Sequence, residues 1–496
     1  MKKILTTEQM RQADQAAIDA GVSAFELMRR AGQAVAETVQ RVAPDTGRMV
    51  IVAGGGNNGG DGYAAAKILS EKGGRVTVVA LTDPAQLQGA AAEFAELAQK
   101  AGVKIRPACT VEDSEVLTFW LTRAVLVVDA IFGTGLDRQM DGWMRQAVEI
   151  INDSDRPVLA VDIASGINGD NGKVMGAAIE ADWTLPIAAI KWGHWLDEGR
   201  LHHGCMLPPA DIGIEPGSLP ADVHLLDETL FESLLPPARP DLHKGSFGHV
   251  WVFGGSEGFT GAPRLASQGA MAVHAGLVSI VCSPDIYPLL AASSLEAMVH
   301  QQLPEAWLEA DAVVAGPGWG LHQQETLAML LNSDRTLLLD ADALNMLAAD
   351  ADLKALAANR DATTIFTPHP GEAGRLLGCT SAEVQQDRPA ALHRLVELLQ
   401  GWVVLKGAQT LIGAPDGRVW LCPFGNSRLA TAGSGDVLSG MIGGLLAQLK
   451  GIPVELSIGT AVTLHAKAGE MMGWHRAGQL PDKVAEIRDA LPKEGL

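Results

Sequence analysis

The sequence predicts an α/β protein of two domains, residues 1–215 and 225–496, each built on a parallel β-sheet. Three observations carry this. Short apolar runs alternate with segments of helix length, the alternation restarts beyond residue 240, and a proline-dense stretch separates the two series. Strand–helix alternation implies βαβ units, whose strands are covered on both faces and so read as continuous apolar runs. Prolines at 208, 209, 216, 220, 236, 237 and 240 resist helix and sheet alike, which puts the boundary there. With 496 residues the chain is long enough to bury more than one core.

At the N-terminus, Thr6-x-x-Gln9 and Ser23-x-x-Glu26 fit capping boxes. Met28, Ala31, Val35, Val39 and Val42 recur at helical spacing, so two helices are expected before the first strand. The runs MVIVA, VTVVAL, AVLVVDAI and PVLAVDI supply the first sheet; HVWVF, GLVSIVC, DAVVAG, TLLLD, TTIFT and WVVLKG supply the second. The uncharged stretch Leu265–Pro284 is long enough to raise the question of a membrane span. It carries Ser267, Gln268, His274 and Gly276, and reads instead as a buried helix, a glycine stop and a strand.

Charge narrows the partners. With 38 basic and 58 acidic residues the formal charge is −20, which repels nucleic-acid phosphates and anionic membranes, so neither is an expected partner. No apolar run follows Lys2 and Lys3, so no secretory signal is read and a cytoplasmic address is expected. The cysteines at 109, 205, 282, 379 and 422 never form C-x-x-C, which signals reduced thiols rather than a zinc cage or a disulfide framework.

The loop Gly54-Gly55-Gly56-Asn57-Asn58-Gly59-Gly60-Asp61-Gly62 follows the first predicted strand. Gly54, Gly56 and Gly59 satisfy G-x-G-x-x-G, with Asp83 in place for a ribose, yet a carboxylate so close behind opposes a pyrophosphate at the helix N-terminus. A loop gripping a polar ligand through its amides, Asn57 and Asn58 fits better; the plain alternative is a glycine turn with Asp61 as helix cap. Two more strands end in Asp129, before Phe132-Gly133-Thr134-Gly135, and in Asp162, before Ala164-Ser165-Gly166. Ligands of open parallel sheets lie beyond the carboxyl ends of the strands, so Asn58, Asp129, Asp162 and Ser165 can converge. Such an oxygen-only set suits a hard cation.

In the second domain the densest signal runs from Asn426 to Gly440 and includes Gly433-Ser434-Gly435-Asp436. Small residues let the backbone approach an anion, and the amides of the helix that follows point at it. Asp436, at that N-terminus, is expected to stay ionised and to accept a proton from an attacking hydroxyl, an ordinary cap being the alternative. G-x-x-x-x-G-K-[ST] is absent, which excludes a Walker-type NTPase. Lys406, at a strand end, is placed to face a nucleotide phosphate. His369 and Glu372 lack the spacing of H-E-x-x-H and read as a ligand-contacting loop. The glycine turns 254–263 and 316–320 suit close approach to a ligand, whereas His202 and His203 diverge on a strand and show no third metal ligand.

GGGNNGGDG, VDAIFGTG and the D-I-x-S-G of 162–166 resemble the NAD(P)H-hydrate epimerase domain. HKGSFGHV, GGSEGFTGAPRLA, GPGWG, TPHPGE and NSRLATAGSGDVLSG resemble the NAD(P)H-hydrate dehydratase domain, a relative of ribokinase-like kinases. Their order, over essentially the whole chain, is similar to that of bacterial bifunctional nicotinamide-nucleotide repair enzymes. The resemblance implies a Rossmann-like first domain, a ribokinase-like second, and as substrates NADHX and NADPHX, the 6-hydroxylated hydrates of NADH and NADPH.

The first domain is thereby expected to be an isomerase that interconverts R and S epimers with bound K+. Asn57, Asn58, Gly59, Gly60, Asp61, Gly133, Thr134, Gly135, Leu136, Asp137, Arg138, Gln139 and Asp162 match substrate positions, and Asn58, Asp129 and Ser165 match the potassium positions. Asp162 is expected to be catalytic, with Lys191 assisting proton transfer. The second domain is expected to be a lyase that uses ADP, with Mg2+, to phosphorylate the 6-hydroxyl of the S form and eliminate phosphate, leaving NAD(P)H and AMP. Ala262, Gly318, His369 and Asp436 match substrate positions; Lys406, Gly407, Ala408, Gln409, Thr410 and Gly435 match the nucleotide site. Ala164 and Trp319 depart from the family pattern, Ala164 replacing a proline that would stiffen the loop holding Ser165. The assembly expected is a homo-oligomer. The competing reading is a small-molecule kinase with an N-terminal ligand-binding regulatory module, because G-x-G-D with a base serves net phosphoryl transfer equally well. The asparagine-rich loop and its aspartates are superfluous in a plain vitamin-type kinase, whereas a regulatory N-terminal module is separated from an epimerase only by an epimerase assay on the isolated domain.

Overall fold

The computed structural model describes residues 2–43, 47–214, 222–234 and 242–491, and the chain divides into the units Lys2–Ala221 and Asp222–Leu496. Much of the proline-rich stretch proposed as the boundary, 215–221 and 235–241, lies outside the described residues.

The first unit opens with β1 (Lys2–Leu5), a strand where the sequence reading placed only helices. The helices α1 (Thr7–Asp19) and α2 (Ala24–Val42) follow, capped by Thr6 and Ser23 as expected. Then come β2 (Arg48–Ala53), α3 (Asn57–Glu71), β3 (Arg75–Ala80), α4 (Gly89–Lys100), β4 (Lys104–Pro107), α5 (Ser114–Leu121), β5 (Ala124–Ala130), α6 (Gly142–Asn152) and β6 (Val158–Val161). Three short strands and a helical turn complete it: β7 (Trp183–Leu185), β8 (Ile190–Lys191), α7 (Gly199–His202) and β9 (Cys205–Met206). The seven-stranded sheet has the order β4-β3-β2-β5-β6-β7-β9 and is parallel throughout, while β8 pairs with β1. Along β2, Met49, Ile51 and Ala53 enter the core shared with α2, α3 and α4, and Val50 and Val52 enter the core on the opposite face. Successive strand residues point to opposite faces, so a strand buried on both must be apolar at every position. Strand order reverses between β2 and β5, and a crevice opens at such a point beyond the strand ends.

The second unit runs β10 (Val223–Leu225), α8 (Thr229–Leu234), β11 (His249–Phe253), α9 (Gly261–Ala272), β12 (Leu277–Val281), α10 (Tyr287–Ser293), β13 (Met298–His300), β14 (Ala312–Ala315), α11 (Gln324–Leu331) and β15 (Leu337–Leu339). It continues α12 (Ala341–Ala349), α13 (Ala351–Ala358), β16 (Thr364–Phe366), α14 (Pro370–Leu377), α15 (Ser381–Gln386), α16 (Arg388–Leu399) and β17 (Trp402–Leu405). Last come β18 (Leu411–Gly413), β19 (Val419–Leu421), α17 (Ser434–Gln448), α18 (Val454–Glu470) and α19 (Leu480–Asp489). Its sheet has the order β13-β12-β11-β14-β15-β16-β17-β18-β19-β10 and is parallel as far as β17; β18 pairs antiparallel with β17 and with β19. The stretch Leu265–Pro284 is the helix, glycine and strand expected of it. A Cβ on Gly440 of α17 would lie 1.8 Å from the Ala266 carbonyl oxygen, and one on Gly269 of α9 would lie 2.1 Å from that of Val437. Glycine at both places lets the two helices touch backbone to backbone, which fixes the N-terminus of α17 against the sheet.

Candidate active sites

In the first unit the loops after β2, β5 and β6 enclose a cavity of about 670 Å³. Asn57, Asn58, Asp61, Gly133, Thr134, Gly135, Leu136, Arg138 and Asp162 line it, together with Lys191 and four residues of α1, Thr7, Met10, Arg11 and Asp14. Gly59 and Gly60 lie outside the lining and are closely packed: a Cβ on the first would lie 2.1 Å from the Gly54 carbonyl oxygen, and one on the second 2.5 Å from the Met28 sulfur. Asp137 and Gln139 are exposed and lie outside the lining. Helix α3 begins at Asn57 with Gly56 as its cap, so Asp61 sits in the second turn and the capping alternative fails. Asp83 caps an exposed turn through the Ala85 amide and stays out of the cavity.

Of the oxygen-rich set, Asp129 and Ser165 are bonded to each other, while Asn58 and Asp162 meet at Gly133, where a Cβ would lie 3.4 Å from Asn58 Oδ1 and 3.2 Å from Asp162 Oδ2. Asp129 is fully buried; its Oδ1 accepts the Ser165 hydroxyl at 2.6 Å and its Oδ2 the Ser165 amide at 2.8 Å. Burial raises the Asp129 carboxyl to about 6 against those stabilising bonds. The same two bonds restrain Ser165 where the family proline is missing, and Ala164 is itself buried. Asn58 is 8% exposed, and both its Oδ1 and Nδ2 are buried without a hydrogen-bond partner. An amide orphaned in this way costs about 1–3 kcal/mol unless a ligand or ion satisfies it. Oδ1 of Asn58 therefore has a lone pair to offer a ligand, and together with the oxygens of Asp129 and Ser165 it makes a set whose chemistry fits a hard monovalent cation.

Deeper in the cavity, Lys191, 1% exposed, forms an ion pair with Asp162 and donates to the Ile187 carbonyl at 2.7 Å. Asp61 is held well above the usual carboxylate range by burial, then by the charges of Asp162 and Asp14. Burial likewise lifts Asp14 to about 6. A carboxyl that burial inclines to keep its proton, beside the Lys191–Asp162 ion pair, sets an acid next to a base, the arrangement that proton transfer needs. Asp14 escaped the sequence reading because it lies on an amphipathic helix among other polar residues, with no glycine nearby to mark it.

In the second unit the strand ends converge on Lys406. Its ammonium donates to Asp340 Oδ1 at 2.7 Å and lies 3.9 Å from Glu372 Oε2; Ser439 donates to Asp340 Oδ2 at 2.6 Å. A Cβ on Gly435 would lie 3.3 Å from Lys406 Nζ, so the ammonium stands against the N-terminal turn of α17, where Asp436 also lies. Burial foremost, and then Asp340, raise Asp436 to about 7, with Glu372 and Asp342 adding to the effect and Lys406 opposing it. The expectation that the helix N-terminus keeps Asp436 ionised is corrected here: burial among three other carboxylates outweighs the helix dipole. A carboxylate poised near neutrality is suited to general-base work.

The remaining expected residues are brought to the same edge. Gly255 donates to the Pro317 carbonyl at 3.0 Å and Ser256 to that of Gly318, also at 3.0 Å, and a Cβ on Gly318 would lie 3.0 Å from that of Ala262. Gly318 has φ +56°, a left-handed conformation that suits glycine. Trp319 turns inward, 4% exposed, edge-on to Phe253, and so stays clear of the turn. His369 is half-exposed and takes the Gly371 amide, while Glu372 bonds the His369 amide at 2.8 Å. Arg388 reaches into the loop after β17, donating to the carbonyls of Leu405 and Ala408, so Gly407 and Ala408 stay exposed beside buried Gln409. Thr410 is held through its carbonyl by the Cys422 amide. His202 and His203 bond different carbonyls, and among the described residues there is no group of three His, Cys, Asp or Glu side chains fit for a metal.

The family model for the YjeF-related protein N-terminus matches residues 24–193, and the model for NAD(P)H-hydrate dehydratase matches 250–489. A bifunctional NAD(P)H-hydrate repair enzyme Nnr of Coxiella burnetii is 36% identical over 480 residues, covering 95% of each chain. The chain belongs to the bifunctional NAD(P)H-hydrate repair enzyme family. The repair enzyme of Escherichia coli K12 is 36% identical over 89% of this chain and 84% of its own. Among solved structures, an ADP/ATP-dependent NAD(P)H-hydrate dehydratase of Bacillus subtilis, co-crystallised with ATP/Mg2+, is 30% identical, with TM-score 0.47, and covers 54% of this chain and 99% of its own. The repair-enzyme family models thus fall one on each unit, and each unit contains one of the two convergent sites.

Proposed function

We propose that this chain repairs hydrated nicotinamide nucleotides, epimerising the R and S forms of NADHX and NADPHX in its first domain and dehydrating the S form with ADP in its second. The observation that carries the reading is the pairing of two separate proton-handling sites, Asp61/Asp162/Lys191 and Asp436/Lys406, within one chain of this family. Inverting C6 requires its hydroxyl to leave and return, so a protonated acid and a base must both reach it. Asp61 holds the proton, and Asp162, steadied by Lys191, receives one. Asn58, Asp129 and Ser165 hold potassium, which when bound supplies a fixed positive charge for an anionic part of the substrate.

In the second domain Asp436 takes the proton of the 6-hydroxyl as its oxygen attacks the β-phosphorus of ADP, and AMP leaves. Expulsion of phosphate from C6 by the ring nitrogen, followed by loss of a proton from C5, restores the dihydronicotinamide. Lys406 and the amides of Gly435 and its neighbours hold the transferring phosphoryl group. Magnesium, when bound, would neutralise diphosphate charge; Lys406 and Ser439 already occupy Asp340, and Asp436 is kept for the proton. The chain acts on small molecules, in the cytoplasm and as a homo-oligomer, and sedimentation checks the assembly. Among the described residues no helix is long and apolar enough to cross a membrane.

Adding chemically prepared hydrate and ADP should restore the absorbance of reduced nicotinamide, and no return without a competing kinase substrate would defeat the reading. The domains proposed at 1–215 and 225–496 should separate the activities, the first fragment epimerising hydrate without nucleotide; insoluble fragments would show the boundary to be misplaced. Asp129→Ala should slow epimerisation about tenfold or more at fixed potassium, and lithium should mimic it, while dehydration of pure S hydrate is unchanged. Equal epimerisation rates in all salts would contradict the cation site.

A further inference from the structure

We propose that His194 is a positioning residue of the first site, its ring tying the backbone of Asp162 to that of Lys191 and so fixing the carboxylate–ammonium pair that handles the proton. The inference rests on the epimerase reading of this cavity.

Asp162 needs to be held. Its φ is +67°, in the left-handed region, which strains an L-residue and persists only where the surroundings over-determine it. Four restraints surround it. Its amide donates to the Leu185 carbonyl at 2.8 Å, Oδ1 accepts the Ile187 amide at 3.1 Å, Lys191 pairs with Oδ1, and the Asp162 carbonyl meets His194 Nε2 at 2.8 Å. The first two come from backbone and the third from the pair itself. The fourth comes from a side chain that is 0% exposed and takes no part in lining the cavity.

The two ring nitrogens settle the tautomer. The Lys191 amide points at Nδ1 at 2.9 Å and can only donate, so Nδ1 is the acceptor and Nε2 carries the hydrogen toward Asp162. The longer 3.2 Å approach of Nδ1 to the Lys191 carbonyl would need the opposite tautomer and would leave the 2.8 Å contact without a hydrogen. One neutral ring therefore bridges the residue just after β6 to the residue ending β8. Burial and the Lys191 ammonium hold the ring down at about 4, with His203 adding to the effect and Asp162 opposing it, so the bridge stays neutral at physiological pH. Losing it frees Asp162 to relax its strained backbone. A displacement of about 1 Å at a proton-transferring group is enough to cost ~10²-fold in rate.

The test uses the full chain. His194→Phe removes both bonds at similar volume, and His194→Gln restores a donor near the Nε2 position. With R hydrate, H194F should lower kcat by ~10²-fold and leave KM within about twofold, and H194Q should recover most of the loss. Dehydration of pure S hydrate by the same samples should not change. Nitrogen-15 spectra of the wild-type histidines should show His194 as the neutral Nε2–H tautomer. Wild-type kcat in H194F, equal loss in H194F and H194Q, or the Nδ1–H tautomer would each overturn the proposal. A wild-type chain that dehydrates S hydrate but leaves R hydrate unchanged would instead defeat the epimerase reading on which the proposal stands.

Discussion

Asp436→Asn lowers dehydration of S hydrate by about 10²–10⁴-fold while ADP binds nearly as before. The substitution keeps the backbone of Gly433, Ser434 and Gly435 that faces the phosphates and removes the one group placed to take the hydroxyl proton. ADP affinity should rise slightly, since a negative charge leaves the phosphate site. The pH dependence follows from the carboxyl sitting at about 7. Its basic form is lost as pH falls, so wild-type dehydration should decline about tenfold per unit below that value, and the variant should lack this limb. The same group couples to stability. In the fold it keeps its proton up to about 7 and in the unfolded chain only to about 3.8, so between those values the native state binds more protons and stability falls as pH rises. Asp436→Asn should therefore leave the second domain at least as stable as wild type at pH 8. Calorimetric ADP titration beside single-turnover assays checks both halves, and near-normal turnover would reduce Asp436 to a helix residue.

Lys406→Met should disable and destabilise the second domain together. The ammonium is the cation beside Asp340, 1% exposed, and beside Glu372, which burial already pushes upward. Breaking a buried pair by removing one partner costs about 3–5 kcal/mol because the other charge stays behind uncompensated. For a domain of this size that lowers the melting temperature by roughly 6–20 °C. Adding Asp340→Asn should restore much of the stability and none of the turnover, since the phosphoryl group still lacks its cation. Calorimetric melting with and without ADP distinguishes the two effects. A single variant that melts like wild type would show that Lys406 is solvated rather than paired.

What the sequence made legible follows from where its signals are local. Strands such as β2 and β5 are buried on both faces and must be apolar at each position, so Val50–Ala53 and Leu126–Val128 announce themselves. The strands β7, β8 and β9 are two or three residues long and are held by neighbours already in place; Ile190–Lys191 carries no pattern of its own. Strand β1 carries two buried residues, Ile4 and Leu5, and its partner lies far along the chain. The sites divide in the same way. Asn58, Asp129, Ser165, Lys406 and Asp436 lie in or beside glycine-rich turns at strand ends. Asp340 reads as the unremarked end of an apolar run, because its partners Lys406 and Ser439 are 66 and 99 residues away. Local reading also misjudged the ionisation of Asp436. The helix N-terminus is visible in sequence, whereas the carboxylates of Asp340, Asp342 and Glu372 arrive from other elements.

The central claim, two independent chemistries in one chain, is tested most directly by giving pure R hydrate with ADP and potassium to three versions of the full protein and following both epimers chromatographically. Wild type should convert R hydrate to S and then to reduced nicotinamide. Asp436→Asn should accumulate S hydrate with little reduced nicotinamide, and Asp129→Ala should leave R hydrate largely unconverted while still dehydrating added S hydrate. If Asp436→Asn also stops the conversion of R to S, or if Asp129→Ala also stops dehydration of S, the two sites do not act separately and the account is wrong.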